Sequence, residues 1–196
     1  MTMKVIGGTA RGRKLKVPKG LAVRPTAARV KESLFNILSH DFAGLRVLDL
    51  FAGSGNVSIE ALSRGAVKAV LVDESARSAA VIRANLSRLE LNRRAQVWVA
   101  PVARSLRKLE KAGEKFDLIF LDPPYDKGLV TTTLEAIGKS SLINPSGIVV
   151  VEHSGREAIK PNYGNLMLND RRRYGDTFLS FFHRQEAVNP AAQGQT

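Results

Sequence analysis

The chain has 196 residues, 44% hydrophobic and 24% charged, which is typical of one globular unit and excludes a fibrous or wholly disordered protein. It contains no cysteine, so disulfides, thiolate zinc sites and a cysteine nucleophile are excluded. Its 30 Lys and Arg exceed its 18 Asp and Glu by +12, which favours an anionic partner. Because it lacks a signal-peptide pattern and an apolar run of roughly 20 residues, we expect a cytoplasmic protein with no membrane partner.

The chain begins with a strongly basic segment, in which nine cations precede the first acid, Glu32. Such a segment attracts nucleic acid phosphates without sequence preference, or acts as a solubilising tail. Interleaved apolar residues favour order, so we predict a basic arm or hairpin over residues 1–23. Glycines beside the arm's central cations permit close approach to a nucleic acid backbone. The candidate RNA contacts are Arg11, Arg13, Lys14 and Lys16.

A helix is predicted next, from about Ala27 to Leu38, with an apolar face formed by Val30, Leu34, Ile37 and Leu38. From Arg46 onward, short β-branched runs alternate with helical patterns, which indicates βαβ units and a parallel sheet. The predicted strands are Arg46–Leu50, Lys68–Asp73, Gln96–Val99, Phe116–Asp122 and Ile148–Glu152. The predicted helices between them are Val57–Arg64, Ala76–Leu91, Ser105–Lys111 and Leu129–Ile143.

A glycine-rich turn follows the first of these strands, in the run LDLFAGSGNVSIEAL. Gly53 and Gly55 permit close approach of a ligand, and the helix that follows offers free N–H groups to an anion. A dinucleotide site would need a third glycine, where Ser58 stands instead. Asp49 would repel a pyrophosphate but can accept an amino acid's ammonium group, and Asp73 can accept both ribose hydroxyls. The pattern therefore favours a loop that binds S-adenosylmethionine over a turn with a purely structural role.

A second motif, Asp122-Pro123-Pro124-Tyr125, follows the apolar strand FDLIFL at the sheet edge where open α/β folds bind ligands. The prolines stiffen the turn and hold a carbonyl outward. Tyr125 can stack on a flipped base. Hydrogen bonds from an exocyclic amine to the Asp122 carboxylate and a proline carbonyl would aim the nitrogen lone pair at a methyl donor. A plain strand-ending turn is the alternative interpretation.

The carboxyl-terminal part changes character. Leu166–Tyr174 and Thr177–His183 flank Gly175-Asp176, which predicts an antiparallel hairpin at the edge of the sheet. Its run Arg171 to Arg173 could touch RNA, but such a run is also typical of a guard against edge aggregation. Residues 186–196 have no periodicity and are predicted to be disordered. The three histidines are scattered, so we predict no metal site.

Several of these motifs together resemble the RsmD family, the bacterial methyltransferases of guanine N2 in 16S ribosomal RNA. The resemblance runs from about Lys4 to Arg184 and rests on IGGTARGRKL, RPTAARVKESLFNIL, VLDLFAGSG, LDPPY and RRYGDTFLSFF. It implies a Rossmann-like class I methyltransferase with a mostly parallel seven-stranded sheet over residues 24–185. It also implies a cofactor pocket lined by Thr26, Asp49, Phe51, Gly53, Gly55, Asp73 and Ala103, with backbone contact to adenine near Ala103.

The resulting prediction is an S-adenosylmethionine-dependent methyltransferase of guanine N2 in 16S rRNA, acting as a monomer on the small ribosomal subunit or an assembly intermediate. Asp122, Pro123, Pro124 and Tyr125 are the predicted catalytic residues. The alternatives are a methyltransferase of amino groups in DNA or another RNA, a non-catalytic RNA-binding module, and an NAD-dependent oxidoreductase. Ser58 and Asp49 argue against NAD, and the intact Asp-Pro-Pro-Tyr run argues against a non-catalytic module.

Overall fold

A computed structural model describes residues 3–18, 25–38, 41–125 and 127–185, without the side chains of 25–27. The helices are α1 (Pro25–Leu38), α2 (Asn56–Ser63), α3 (Ala76–Arg88), α4 (Val102–Lys111) and α5 (Leu129–Gly138). The strands are β1 (Arg46–Leu50), β2 (Lys68–Asp73), β3 (Ala95–Val99), β4 (Phe116–Leu121), β5 (Ile143–Ser154), β6 (Asn162–Tyr163), β7 (Leu166–Tyr174) and β8 (Thr177–Arg184).

These strands form one sheet in the order β3-β2-β1-β4-β5-β8-β7-β6. Strands β1 to β5 pair in parallel, and the last three are antiparallel, which confirms the predicted class and the terminal hairpin. The described sheet has eight strands, not the predicted seven. The additional strand, Asn162–Tyr163, pairs with Leu166 and Met167. Because it has only two residues, it is too short for an alternating pattern that would predict it from the sequence.

Two apolar cores lie on opposite faces of the sheet. One joins α1, α2 and α3 to side chains such as Val47, Leu71 and Phe120, and the other joins α4 and α5 to Leu50, Ile119 and their neighbours. Strands β1, β2 and β4 are therefore buried on both faces, which accounts for their nearly continuous apolar sequence. None of the described helices is long and apolar enough to span a bilayer.

The basic segment folds back on itself and packs against the first core. Lys4 pairs with Lys14 in an antiparallel bridge, and Val5 and Leu15 are buried. The backbone of Thr9 and Ala10 donates to Ser63 of α2, and Lys16 exchanges two hydrogen bonds with Asn85 of α3. Residues 3–18 are thus an ordered hairpin, hereafter the arm. Residues 1–2 and 19–23 of the predicted segment, and the predicted tail 186–196, lie outside the described residues.

Three predicted features differ in the structure. The α1 face was wrong at Ile37, which is 40% exposed, because the helix turns Phe35 fully inward instead. The predicted Ala76–Leu91 helix ends at Arg88, and the predicted Leu129–Ile143 helix ends at Gly138. Ile143 already belongs to β5, which runs through an irregularity in its pairing with β4.

Candidate functional site

A cavity of about 860 Å³ opens at the carboxyl ends of β1, β2, β4 and β5. That volume lies at the upper end of the range for small-molecule sites, so it can take a nucleoside-sized ligand with room beside it. Most predicted site residues line it: Asp49, Phe51, Gly53, Asp73, Ala103, Asp122, Pro123, Pro124 and Tyr125. The fold therefore brings together two motifs that are far apart in sequence.

The glycine-rich turn is held against β2. The Ala52 N–H donates to the Val72 carbonyl at 3.0 Å, and the Gly53 N–H donates to Asp73 Oδ2 at 2.8 Å. Gly53 has φ +56, a conformation that favours glycine, and its backbone faces the cavity wall. Gly55 does not line the cavity. A Cβ there would lie 3.1 to 3.3 Å from Leu71 and Ile82, so this glycine lets α2 pack closely on its neighbours.

Asp49 is the buried acid of the site, with 2% of its surface exposed. The Ser58 hydroxyl donates to its Oδ2 at 2.9 Å, and the Ser58 N–H donates to the same oxygen at 3.3 Å. Burial raises the pKa of Asp49 to about 7, the nearby Asp122 and Asp73 charges add to the rise, and the Ser58 hydrogen bonds oppose it. An incoming ammonium group would hold this carboxylate in its ionised form.

Asp73 fixes the loop on one side of the cavity. Besides Gly53, its carboxylate accepts the Ser75 N–H on Oδ1 at 2.8 Å. The carboxylate is half-buried, and its oxygens each have a second lone pair for ligand hydroxyls. Ala103 lies in the first turn of α4, beside Pro101 and Val102, on the same cavity wall.

The Asp-Pro-Pro-Tyr turn closes the other side. It follows β4, and the Asp122 N–H reaches the Leu50 carbonyl of β1 at 3.5 Å, so the turn adjoins the glycine-rich loop. Pro123 is buried, Tyr125 is half-buried, and Asp122 and Pro124 are exposed to the opening. Glu152, on β5, lies beside them in the lining. The acceptors therefore face a space that a base can enter.

The cavity is acidic although the protein is basic. Among the described residues, its lining carries five carboxylates and two cations, Lys31 and Lys127. The carboxylates are Asp49, Asp73, Glu74, Asp122 and Glu152. Such a lining disfavours a pyrophosphate and suits a ligand with net positive charge, such as a sulfonium amino acid. Three of these acids, Asp73, Asp49 and Asp122, lie at the carboxyl ends of the adjacent strands β2, β1 and β4.

A buried ionic cluster, not predicted from the sequence, supports this cavity from behind. The Glu60 carboxylate is fully buried and contacts Lys31 at 3.2 Å and Arg64 at 3.0 Å. It also accepts the arm's Ile6 and Gly7 N–H groups at 2.8 and 2.7 Å. Burial lowers the pKa of Lys31, whereas the Glu60 charge opposes the shift.

Lys31 extends the cluster to the cavity wall. Its ammonium donates to the Lys4 carbonyl at 2.5 Å and to Asn56 Oδ1 at 2.8 Å, where Asn56 begins α2. Helical spacing could have indicated the buried position of Lys31, because this residue shares a helix face with Leu34 and Phe35. The arm itself also reaches the cavity, since Met3 and Val17 belong to the lining.

The predicted RNA contacts lie on the arm's outer surface. Arg11, Arg13, Lys14 and Lys16 are all exposed, and the Arg13 guanidinium donates to the Arg88 carbonyl at 3.2 Å. None of the four lines the cavity. The remaining predicted residue, Thr26, lies in the first turn of α1, and its side chain is outside the described part of the structure.

Comparisons with known proteins agree with this geometry. The model of the family described as Conserved hypothetical protein 95 matches residues 3–183. A Bacillus subtilis protein named as a candidate rRNA methyltransferase is 37% identical over 93% of this chain and 100% of its own length. Ribosomal RNA small subunit methyltransferase D of Escherichia coli is 29% identical over 99% of this chain and 93% of its own length.

The solved structures point the same way. A candidate methyltransferase from Escherichia coli superposes with a TM-score of 0.81 at 29% identity, covering 94% of this chain and 99% of its own. A more distant candidate methyltransferase, complexed with SAH, has a TM-score of 0.64 at 17% identity and shares the fold over 82% of this chain. The predicted Rossmann-like class I methyltransferase fold is confirmed.

Proposed function

Because the chain belongs to the RsmD family, described as Conserved hypothetical protein 95, we propose that it transfers a methyl group from S-adenosylmethionine to a guanine N2 amino group of 16S rRNA. The observation that carries the proposal is one cavity with two chemically different sides. Asp49 and Asp73 form an acidic side suited to a cationic nucleoside cofactor. Asp122 to Tyr125 form a rigid side with acceptors for an amine.

The donor set fits this cofactor. Asp49 accepts the ammonium of the methionine end, and Ser58 keeps that carboxylate oriented through the hydroxyl contact at 2.9 Å. Asp73 accepts the ribose hydroxyls while its bond to Gly53 keeps the loop in place. Phe51, Gly53 and Ala103 add apolar and backbone contacts along the same wall. The cofactor supplies an electrophilic methyl group at its sulfonium.

The acceptor side prepares the nucleophile. The lone pair of a guanine N2 amine is delocalised into the ring, so it must be redirected before it can attack. The Asp122 carboxylate and a proline carbonyl of the turn accept the two amine hydrogens. These hydrogen bonds aim the nitrogen lone pair into the cavity and stabilise the positive charge that develops on nitrogen. Tyr125 stacks on the flipped base. No strong base is required first, because the methylated nitrogen loses its proton readily.

RNA reaches this cavity along the arm. Arg11, Arg13, Lys14 and Lys16 are exposed on the arm, and the arm reaches the cavity wall at Met3 and Val17. Their charges attract phosphates of structured RNA and position the target nucleotide. The substrate in this proposal is 16S rRNA within the small subunit or an assembly intermediate. We further propose that the enzyme is cytoplasmic, where this substrate is found, and that it acts as a monomer; sedimentation of the purified protein tests the oligomeric state.

Transfer of labelled methyl groups tests the proposal directly. Purified protein is supplied with unmethylated small subunits, free 16S rRNA or DNA, and the product nucleoside is identified by mass spectrometry. We expect N2-methylguanosine from an RNA substrate. Label in DNA would support the DNA amino-methyltransferase instead, and reduction of NAD with no label would support the oxidoreductase.

The Asp122→Ala variant tests the assigned mechanism. Removing one oriented acceptor should lower turnover on the order of 100-fold or more while S-adenosylmethionine binding stays nearly unchanged. Glu32→Gln, at an exposed acid of α1, is the matched control for loss of one carboxylate charge. Turnover within a few-fold of the wild type in Asp122→Ala would remove this residue from the mechanism.

A further inference from the structure

The turn of the β7–β8 hairpin lies at the carboxyl ends of the parallel strands. The Asp-Pro-Pro-Tyr turn, hereafter the catalytic turn, lies at the same ends. The pairing register places Arg172 opposite Leu179, and Leu179 opposite Glu152. Glu152 belongs to the cavity lining, at the carboxyl end of β5. Strand β7 is three strands away from β4, so the arginines lie roughly 14 Å along the edge from the catalytic turn at about 4.8 Å per strand. That distance is within reach of nucleotides next to the target.

Three consecutive arginines lie at this end of the hairpin, between Asp170 and Asp176. Arg171, Arg172 and Arg173 are exposed. Each guanidinium is already oriented: Arg171 donates to the Ser180 hydroxyl at 3.3 Å and to the Ile159 carbonyl at 3.5 Å, and Arg173 donates to the Gly175 carbonyl at 2.8 Å. Arg172 forms an ion pair with Asp170 at 2.7 Å. Side chains that are already oriented lose less entropy when they bind a phosphate, and the planar guanidinium can bind it through two hydrogen bonds.

A neighbouring loop adds to the same surface. The Gly155 N–H donates to the Asp176 carbonyl at 3.1 Å, which fastens the β5–β6 connection to the hairpin turn. The next residue, Arg156, is exposed. A guard against aggregation needs only charge somewhere along an edge strand. Here the arginines are concentrated at the catalytic end, beside a fourth arginine, so the guard role accounts for the charge but not for its position.

The arm and the hairpin lie on opposite sides of the catalytic turn. The arm bonds to α2 and α3, and α3 packs on β2 and β3. The sheet order then places β1 and β4 in the middle and β5, β8 and β7 on the far side. A nucleotide whose base enters beside Asp122 would therefore have the arm on one flank and the hairpin on the other.

We propose that Arg156 and Arg171 to Arg173 form a second RNA-binding surface, the hairpin surface, which binds phosphates flanking the target nucleotide on the side away from the arm. The inference rests on the proposed function, because it needs an RNA substrate whose base enters the cavity. It assigns a phosphate-binding role to residues that have no contact with the cofactor. RNA is thus held at two sites that straddle the catalytic turn.

The test is a triple variant, R171A/R172A/R173A, with 16S rRNA transcribed in vitro as the probe. Each lost phosphate contact should lower the slope of log affinity against log salt by about 0.7 to 0.9, so three contacts lower it by about 2 to 3. The matched control is K111A/K115A/K139A, which removes the same charge from exposed lysines at the amino edge of the sheet. Cofactor affinity should be unchanged in both.

Two further measurements separate the possible results. R171K/R172K/R173K keeps the charges and should retain most of the salt slope, whereas a role confined to hairpin folding would not be rescued by lysine. Combination with alanines at Arg11, Arg13, Lys14 and Lys16 should multiply the two losses of affinity. If the wild type methylates rRNA and the triple variant has the same slope as the lysine control, the hairpin surface is overturned while the methyltransferase function stands. Absence of methyl transfer by the wild type overturns the function itself.

Discussion

Cofactor affinity should depend on pH through Asp49. Burial and two neighbouring carboxylates raise its pKa to about 7, and only the ionised form can accept the cofactor's ammonium. The apparent dissociation constant then scales with 1 + 10^(pKa − pH). Between pH 8 and pH 6 this factor rises about tenfold, equivalent to about 1.4 kcal/mol of binding free energy. Affinity should therefore fall as the solution becomes more acidic.

Isothermal titration with S-adenosylhomocysteine at pH 6, 7 and 8 measures this dependence without turnover. Asp49→Asn should bind more weakly at pH 8 and lose the dependence on pH. Ser58→Ala should bind more weakly at pH 7, because the loss of the hydroxyl hydrogen bond, which opposes the shift, lets the pKa of Asp49 rise further. A wild-type dissociation constant that is the same at pH 6 and pH 8 would refute the assignment of Asp49 to the ammonium.

The same shift has an opposite consequence for stability. An acid whose folded pKa is raised binds more protons when folded, so the free energy of unfolding falls as pH rises from about 4 to about 7. The shift of Asp49 from 3.8 to about 7 corresponds to a cost on the order of 4 kcal/mol at neutral pH and above. Asp49→Asn should consequently melt at a higher temperature than the wild type at pH 8, although it binds cofactor less well.

Two further substitutions test the cavity and its support. Asp73→Ala should weaken S-adenosylmethionine binding by about 1–3 kcal/mol in a calorimetric titration, because the ribose loses charged acceptors, and unchanged affinity would mean that the end of β2 is misassigned. Glu60→Gln should lower the free energy of unfolding in urea by about 3–5 kcal/mol, because the buried Lys31 and Arg64 lose their counter-charge. A loss under about 1 kcal/mol would show that water or another group compensates them.

Much of the sheet was predictable because its chemistry is local. β1 and β2 begin and end at the predicted residues, since apolar β-branched runs bounded by polar turns specify strands wherever they stand. The position of the two site motifs was predictable for a related reason: a short motif at the end of a strand must lie at the carboxyl edge of a parallel sheet. Asp49, Asp73 and Asp122 therefore meet as expected.

Helix ends were harder to predict because a cap can form without the residue type that usually marks it. Leu89 and Glu90 are strong helix formers, yet α3 stops before them. Glu90 adopts φ +60, and the Leu91 N–H returns to the Leu86 carbonyl at 2.9 Å, which is a capping arrangement usually marked by glycine. With glutamate in that position, the sequence carries no signal for the end of the helix.

The buried cluster escaped prediction for a different reason. Glu60 looks like an ordinary polar residue on an amphipathic helix, but the arm covers its face. All of α2 from Val57 to Ser63 is buried. The arm's contact with Glu60 spans more than 50 residues of sequence. Only the assembled fold reveals that Lys31 has its three donors occupied on the cavity wall.

The position of the arm also dictates where the protein can be tethered. Met3 lies in the cavity wall, and the Ser54 hydroxyl contacts its sulfur at 3.4 Å, so a group attached at Met3 would lie beside the proposed cofactor site. β8 runs antiparallel to β5, so its last residue, Arg184, lies at the amino edge of the sheet, opposite Leu166 and away from the cavity. A fluorophore or surface anchor attached after Gln185 would leave the reactive edge facing solution, whereas one attached ahead of Met3 would crowd it.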